Sequence, residues 1–345
     1  MNKTLPAPFT KGVNFTNWLE HRSAEAVNAD LFTKQDFINA KSLGCDVIRL
    51  PIHFERFCFA ENDYRIPQKI LTILDNVAAW AEEVGLYVIF DFHNNCAADT
   101  VTPDDIEDTL TPVWTQLAQR YGEATDYLVY EIMNEPHGID IALWNGIEAR
   151  VFKVIRGIDK KHWIIVGGAD WNSTAAMKTL PDFRDDKVIY TFHFYDPHTF
   201  THQGAPWCHM ERVLGIPFPY DPQKMPPMPE NPTEVERRCF ENYPENGKLE
   251  KVTDCFDQYA EFSQERNAPV FCGEFGCFMS VADELRVQWY RIVTALLAER
   301  GIPRTSWDYY GTFGVFKKAE RGVRPAFPED LNIPLLEALG LNTQV

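Results

Sequence analysis

The feature that most limits what this chain can fold into is a rhythm. Short apolar runs rich in Val, Ile, Tyr and Phe alternate with amphipathic stretches, the signature of repeated strand–helix units. Eight runs stand out, at 12–17, 46–51, 87–92, 128–134, 163–167, 188–194, 270–274 and 304–308. Helical patterns fall between them at 33–43, 68–84, 113–121, 139–158, 252–266 and 283–299. Three of these end at a glycine (Gly44, Gly85 and Gly301), as a left-handed helix C-terminus requires. Eight parallel strands with intervening helices close most economically into a (β/α)8 TIM barrel, because right-handed crossovers put every helix outside. An open doubly wound sheet is the competing arrangement. It usually carries a glycine-rich phosphate loop after its first strand, and the stretch from Gly12 to Trp18 has none.

At 345 residues the chain suits one such barrel, so residues 1–345 are expected to form a single domain. The rhythm breaks once. Residues 196–251 separate the sixth strand from its helix, far beyond the ~2–6 residues usual for such a connection. Seven prolines between Pro217 and Pro232 mark part of it as a stiffened, extended excursion. The insertion is expected to form a small subdomain beside the barrel mouth.

Charge narrows the partners. With 33 Lys and Arg against 50 Asp and Glu, the net charge is −17, spread along the chain without a basic cluster. Nucleic acid and anionic membranes both call for such clusters, so neither is expected as a partner. No apolar run approaches the ~20 residues of a membrane span. The N-terminal stretch lacks the apolar segment of a signal peptide, so the protein is expected either to be cytoplasmic as written or to be a secreted mature form. Eight scattered cysteines include no CxxC pair or zinc-ligand spacing. Most read as core thiols, while Cys208 and Cys239 share the insertion and could pair in an oxidising compartment.

In a barrel the reactive groups gather at the carboxyl ends of the strands. Those ends carry Arg49 on the second strand, Asp91, His93 and Asn94 on the third, and Asn134 and Glu135 on the fourth. His193 and Tyr195 follow on the sixth, Glu274 on the seventh and Trp307 on the eighth. Strands four and seven face each other across an eight-stranded barrel, so Glu135 and Glu274 can meet over its mouth. Two carboxyl groups about 5–5.5 Å apart are what glycoside hydrolysis with retention needs.

The same residues carry a resemblance. Ile132-Met133-Asn134-Glu135-Pro136 and Gly273-Glu274-Phe275-Gly276 resemble glycoside hydrolase family five. So do Arg49-Leu50-Pro51, Asp91-Phe92-His93-Asn94, the run from Phe192 to Tyr195, and Trp307. The stretch from His193 to Pro197, continuing through Phe200-Thr201-His202-Gln203, is similar to bacterial endo-β-1,4-glucanases with a subdomain after strand six. The resemblance implies Glu135 as acid/base and Glu274 as nucleophile, held ionised by Arg49 and Tyr195. It further implies that Asn134 bonds the sugar 2-hydroxyl, His193 orients the acid/base, His93 and Asn94 bind sugar hydroxyls, and Trp307 forms the floor.

Trp171 and Trp207, and less so Trp18, are candidates for further sugar stacking, since an aromatic face binds a neutral ring without charge. His53 follows Arg49 and could support the site, but it reads at least as well as a structural histidine. His137, His198, His202 and His209 are not expected to pair four apart on a helix, and no metal or other cofactor is expected. The expected partner is an oligo- or polysaccharide of β-glucan type, bound by a monomer. Mannan, β-1,3-glucan or a glycolipid would meet the same residues, and a carbohydrate-binding barrel without catalysis is the remote alternative.

Overall fold

The computed structural model describes residues 2–94, 100–319 and 323–345. Eight parallel strands pair in sequence order and the first closes on the eighth. They are β1 (Lys11–Asn14), β2 (Val47–Ile52), β3 (Tyr87–Phe92), β4 (Leu128–Glu131), β5 (Trp163–Gly167), β6 (Val188–Phe194), β7 (Val270–Phe275) and β8 (Arg304–Ser306). This is the TIM barrel expected from the alternation. β3, β5 and β6 coincide with their apolar runs. β1, β4 and β8 stop two or three residues early, because the chain leaves the ladder there to enter the mouth. Asn17 and Glu135 take positive φ angles of 63° and 39°, and the Trp307–Asp308 peptide is cis.

Helices coat the outside by burying one stripe each. The helix Gln68–Val84 buries Ile70, Ile73, Leu74, Val77 and Ala81, a three-and-four spacing that keeps the apolar face on the sheet. The interior behaves differently. Its lower end is closed by Val47, Ile89, Val129, Ile165, Ile189 and Phe271, one from each of β2 to β7, with Phe9 beneath them. Every one is at most 2% exposed, so this end is a packed core rather than a channel.

Residues 196–251 begin with a short helix (His198–Thr201) and a tight turn (Pro206–Cys208). The proline-rich part has no regular element, but it is fastened. Gln203 donates to the Ile216 carbonyl at 3.2 Å and accepts from its N–H at 2.9 Å, and the Tyr243 hydroxyl reaches the Pro217 carbonyl. Met210, Val213, Ile216, Phe218 and Tyr243 join the main core. A helix at Glu234–Asn246 follows, which the proline content had hidden. Its start is set by a capping box between Thr233 and Glu236. The helix Ile333–Leu339, equally unforeseen, packs on the helix Asp283–Glu299. Among the described residues no helix is long and apolar enough to cross a membrane.

Gly12 is the tightest point of the barrel wall. A Cβ added there would lie 1.7 Å from the Val47 carbonyl oxygen, in the neighbouring strand. Gly12→Ala must therefore push β1 off β2, which carries Asn14 away from the mouth. We expect a loss of at least about 1–3 kcal/mol, read as a lower urea midpoint. A midpoint equal to that of the unmodified protein would show that the wall gives way without cost.

Candidate active site

Side chains alternate along a strand, so the residues two further along than the apolar plug also point inward. In β2, β3 and β4 these are Arg49, Asp91 and Glu131, all at most 1% exposed. A charged tier thus sits on the apolar one, and the mouth rests on it.

Arg49 is the centre of that tier. Its Nε and Nη2 donate to the two oxygens of Glu131 at 2.7 and 3.0 Å. Nη2 also reaches Asn134 Oδ1 at 2.7 Å and lies 3.0 Å from Asp91 Oδ2. Nη1 donates to Glu274 Oε1 at 2.7 Å and to Asn14 Oδ1 at 3.1 Å. Burial works against this cation, but Asp91, Glu131 and Glu274 outweigh it and hold Arg49 firmly protonated. The carboxyls share the strain. Burial lifts Asp91 to about 7, against the pull of Arg49 and with a further push from Glu135. Burial likewise raises Glu131.

Glu274 reaches the mouth through an irregularity. By alternation Phe271 and Gly273 face inward and Glu274 would face out. The pairing of β6 with β7 instead slips by one residue, from Phe192↔Cys272 to His193↔Glu274, and such a bulge re-aims a side chain. Gly273 allows it, since a Cβ would stand 2.9 Å from Thr191 Oγ1 and 3.1 Å from His193 Nε2. Tyr195 donates its hydroxyl to Glu274 Oε2 at 2.7 Å, so each carboxylate oxygen has a donor.

Glu135 arrives from the opposite side, just past β4, in a backbone conformation that a residue with a Cβ rarely adopts. His193 Nδ1 lies 2.6 Å from Glu135 Oε1 and 3.6 Å from Glu274 Oε2. Oxygens of the two carboxylates lie within 4.8 Å of one another. Burial lowers His193 to about 4, so the ring between the carboxylates is neutral at neutral pH.

On the other flank His93 Nδ1 binds Asp91 Oδ2 at 2.6 Å. Burial brings His93 down to about 3, so it too is neutral. Its ring is stacked between His53 at 5.8 Å and Trp307 at 5.7 Å. Trp307 is set by its N–H to the Phe275 carbonyl. Next to it, Asp308 accepts the Thr16 hydroxyl at 2.6 Å and the Gly311 N–H at 2.9 Å. Asn94 Oδ1 accepts from Asn134 Nδ2 at 3.3 Å.

Arg49, His93, Asn94, Asn134, Glu135, His193, Tyr195, Glu274 and Trp307 are thus brought to one mouth. Trp171 and Trp207 stand apart, 44% and 51% exposed. Trp171 stacks on His137 at 4.5 Å, and His137 Nδ1 is 2.8 Å from the Glu135 carbonyl. Trp207 lies edge-on to Phe278 at 4.7 Å. Trp18 is fully buried, its indole N–H on the Asn28 carbonyl at 3.0 Å, which makes it core and removes it as a stacking surface.

Three contributors escaped the sequence reading. Asn14 and Glu131 sit inside strand runs where only an alternation argument exposes them. Glu20 accepts the Asn17 N–H and groups with His53 and His93. Burial raises it to about 8 despite that bond, with Asp308, Glu274 and Asp91 adding to the effect. The expectation about histidine pairs also needs correction, because His198 and His202 are four apart on one helical turn, their rings 4.0 Å apart. Cys208 and Cys239 are free thiols, and Cys96 lies outside the described residues.

Removing the cation tests the tier. Arg49→Met strands buried carboxylates without a counter-charge, at a cost of about 3–5 kcal/mol. Those carboxylates can fold only by holding protons, so the deficit should be largest near about pH 8 and shrink towards about pH 5. Urea unfolding at both values measures it, and an equal deficit would mean that packing rather than charge is lost.

A family model described as cellulase (glycosyl hydrolase family 5) matches residues 9–312. The chain is 28% identical over 314 residues to endoglucanase C of Acetivibrio thermocellus, covering 87% of this chain and 91% of that protein. It is 27% identical over 334 residues to endoglucanase 3 of Fibrobacter succinogenes, covering 90% of this chain and about half, 51%, of that longer protein. The crystal structure of an endoglucanase from the hyperthermophile Thermotoga maritima is similar with a TM-score of 0.78, at 28% identity over 96% of each chain. The family match begins before β1 and runs past β8, leaving no strand outside it: the chain belongs to the cellulase family, glycosyl hydrolase family 5.

Proposed function

We propose that this protein is a retaining, endo-acting hydrolase of β-1,4-glucan, with Glu135 as acid/base and Glu274 as nucleophile. The observation that carries this reading is the approach of the two carboxylates, one oxygen of each lying within 4.8 Å of the other across the mouth. Inverting enzymes separate their carboxyl groups by about 6.5–9.5 Å to seat a water between them.

Each neighbour then has a task. Glu135 gives its proton to the glycosidic oxygen as Glu274 attacks the anomeric carbon. The C–O bond to the leaving sugar breaks, and a covalent glycosyl ester forms on Glu274. Glu135, now ionised, takes a proton from water, which attacks the same carbon and releases Glu274. Arg49 and Tyr195 fix the nucleophile's two oxygens. Neutral His193 holds the Glu135 carboxyl in place without adding charge. Asn134, pinned through Oδ1 by Arg49, presents Nδ2 to the sugar 2-hydroxyl beside Asn94. His93 offers its ring edge to a hydroxyl, and Trp307 carries the apolar face of the sugar. Trp171 and Trp207, both exposed, serve as further stacking surfaces. Residues 196–251 act as an insertion within one catalytic barrel, shaping the cleft. No step calls for a metal or other cofactor.

Support for the substrate comes from relatives described as endoglucanases and from a similar Thermotoga maritima structure described in complex with cellobiose. A second reading, mannan hydrolysis by the same residues, is favoured by the structure of that protein with mannotriose. Both carboxylates are in place, which a binding-only barrel would not need.

Product analysis separates these readings. On soluble carboxymethyl-glucan we expect a rapid fall in viscosity with mixed short oligosaccharides, and freshly released ends in the β configuration by NMR. An α product would sink the retaining mechanism, and hydrolysis of mannan alone would move the substrate assignment. Glu274→Ala should abolish turnover while calorimetry still detects oligosaccharide binding; near-full hydrolysis would remove Glu274 from its role. Glu135→Ala should lose about 10²–10⁴-fold on natural linkages, where acid assistance matters, and far less on aryl glycosides with good leaving groups. Equal loss on both would count against Glu135 as the acid.

A further inference from the structure

Histidine, cysteine and carboxylate side chains crowd together at three places among the described residues. Glu135, His193 and Glu274 form one, and Glu20, His53 and His93 another on the same mouth. The third lies outside the machinery described above. His198, His202 and Cys208 bring one ligand atom each to within 4.8 Å of the others, at the start of the 196–251 segment. We propose that these three side chains bind one zinc ion.

Donor type comes first. Two imidazoles and a thiol suit a borderline-soft cation such as zinc, whereas calcium and magnesium require oxygen ligands. Spacing agrees. His198 and His202 are one helical turn apart, and His198 Nε2 lies 3.9 Å from Cys208 Sγ. Zinc–nitrogen and zinc–sulfur bonds of about 2.0–2.1 and 2.3 Å put tetrahedral ligand atoms roughly 3.5 Å apart, so only small adjustments are needed. The largest is a rotation of the two rings, which lie 14° from parallel and must swing to aim at one point.

The proton arrangement is already suitable. Thr201 donates its single hydroxyl proton to the Tyr195 carbonyl at 2.5 Å. Its oxygen is therefore left to accept from His202 Nδ1, 2.9 Å away. That fixes the tautomer with Nδ1 protonated and puts the lone pair on Nε2, the kind of outer contact that orients a metal-binding histidine. A second free thiol, Cys239, belongs to the same 196–251 segment.

Occupancy would be felt in the cleft. The His202 ring is edge-on to Tyr195 at 5.3 Å, and Tyr195 holds Glu274. Trp207 adjoins Cys208 in the chain and lies 6.3 Å from the His202 ring.

Calorimetric titration of the metal-free protein with zinc, in a non-coordinating phosphine reductant that keeps both thiols reduced, is the test. One ion per chain at micromolar affinity or better is expected. Cobalt should give a thiolate charge-transfer band in the near ultraviolet that Cys208→Ser removes. His198→Ala, a change at an exposed side chain, should weaken zinc at least tenfold. Neither substitution should alter hydrolysis in the absence of metal. No binding at micromolar zinc, no thiolate band, or unchanged affinity in both variants would overturn the proposal; in the last case the ion sits elsewhere, as between Glu135, His193 and Glu274. These readouts do not depend on the hydrolase reading, so each can fail alone.

Discussion

Everything at the mouth of this barrel is referred to one buried guanidinium. Arg49 touches Asp91, Glu131 and Glu274, and it holds the amide oxygens of Asn14 and Asn134. Five strands or strand ends are thereby tied to a single planar group with fixed donor directions, which a flexible lysine could not do. Burying a cation with several carboxylates costs more solvation than pairing alone returns, so such a cluster gives orientation rather than stability. The cost is reduced because burial lifts Asp91 and Glu131 and lets protons replace charge.

The same economy runs through the rest of the site. His93 and His193 are held neutral by burial, and Glu20 keeps its proton to about pH 8. A chain with a net charge of −17 thus presents a mouth built of neutral rings, amides and shared protons around two carboxylates. Such a surface favours an uncharged ligand that offers hydroxyls and apolar faces. Trp307, stacked against His93, puts one aromatic face at the mouth, while Trp171 and Trp207 are exposed apart from it.

The insertion after β6 is not an appendage. Its apolar residues enter the main core, and its first turn places His202 against Tyr195. The segment is therefore linked to Glu274 through one aromatic contact, because Tyr195 in turn donates to that carboxylate.

What the sequence determined by itself was the periodic part. Alternating apolar runs and amphipathic stretches specify eight strands and the helices between them, because burial against a closed sheet demands that pattern. Polar residues at run ends then locate the mouth, and the motifs around Asn134-Glu135 and Glu274 point to the family. Tertiary structure decided what depends on contacts between distant segments. Glu131 and Asn14 matter only because Arg49 arrives from β2 to meet them, and Glu274 faces the mouth only because β7 slips against β6 at Gly273. Trp18 is core rather than a sugar platform for the same reason: the aromatic residue type is legible in the chain, but the neighbours that bury it come from the fold. The helix Glu234–Asn246 lay hidden among prolines until its capping residues and its packing outweighed composition.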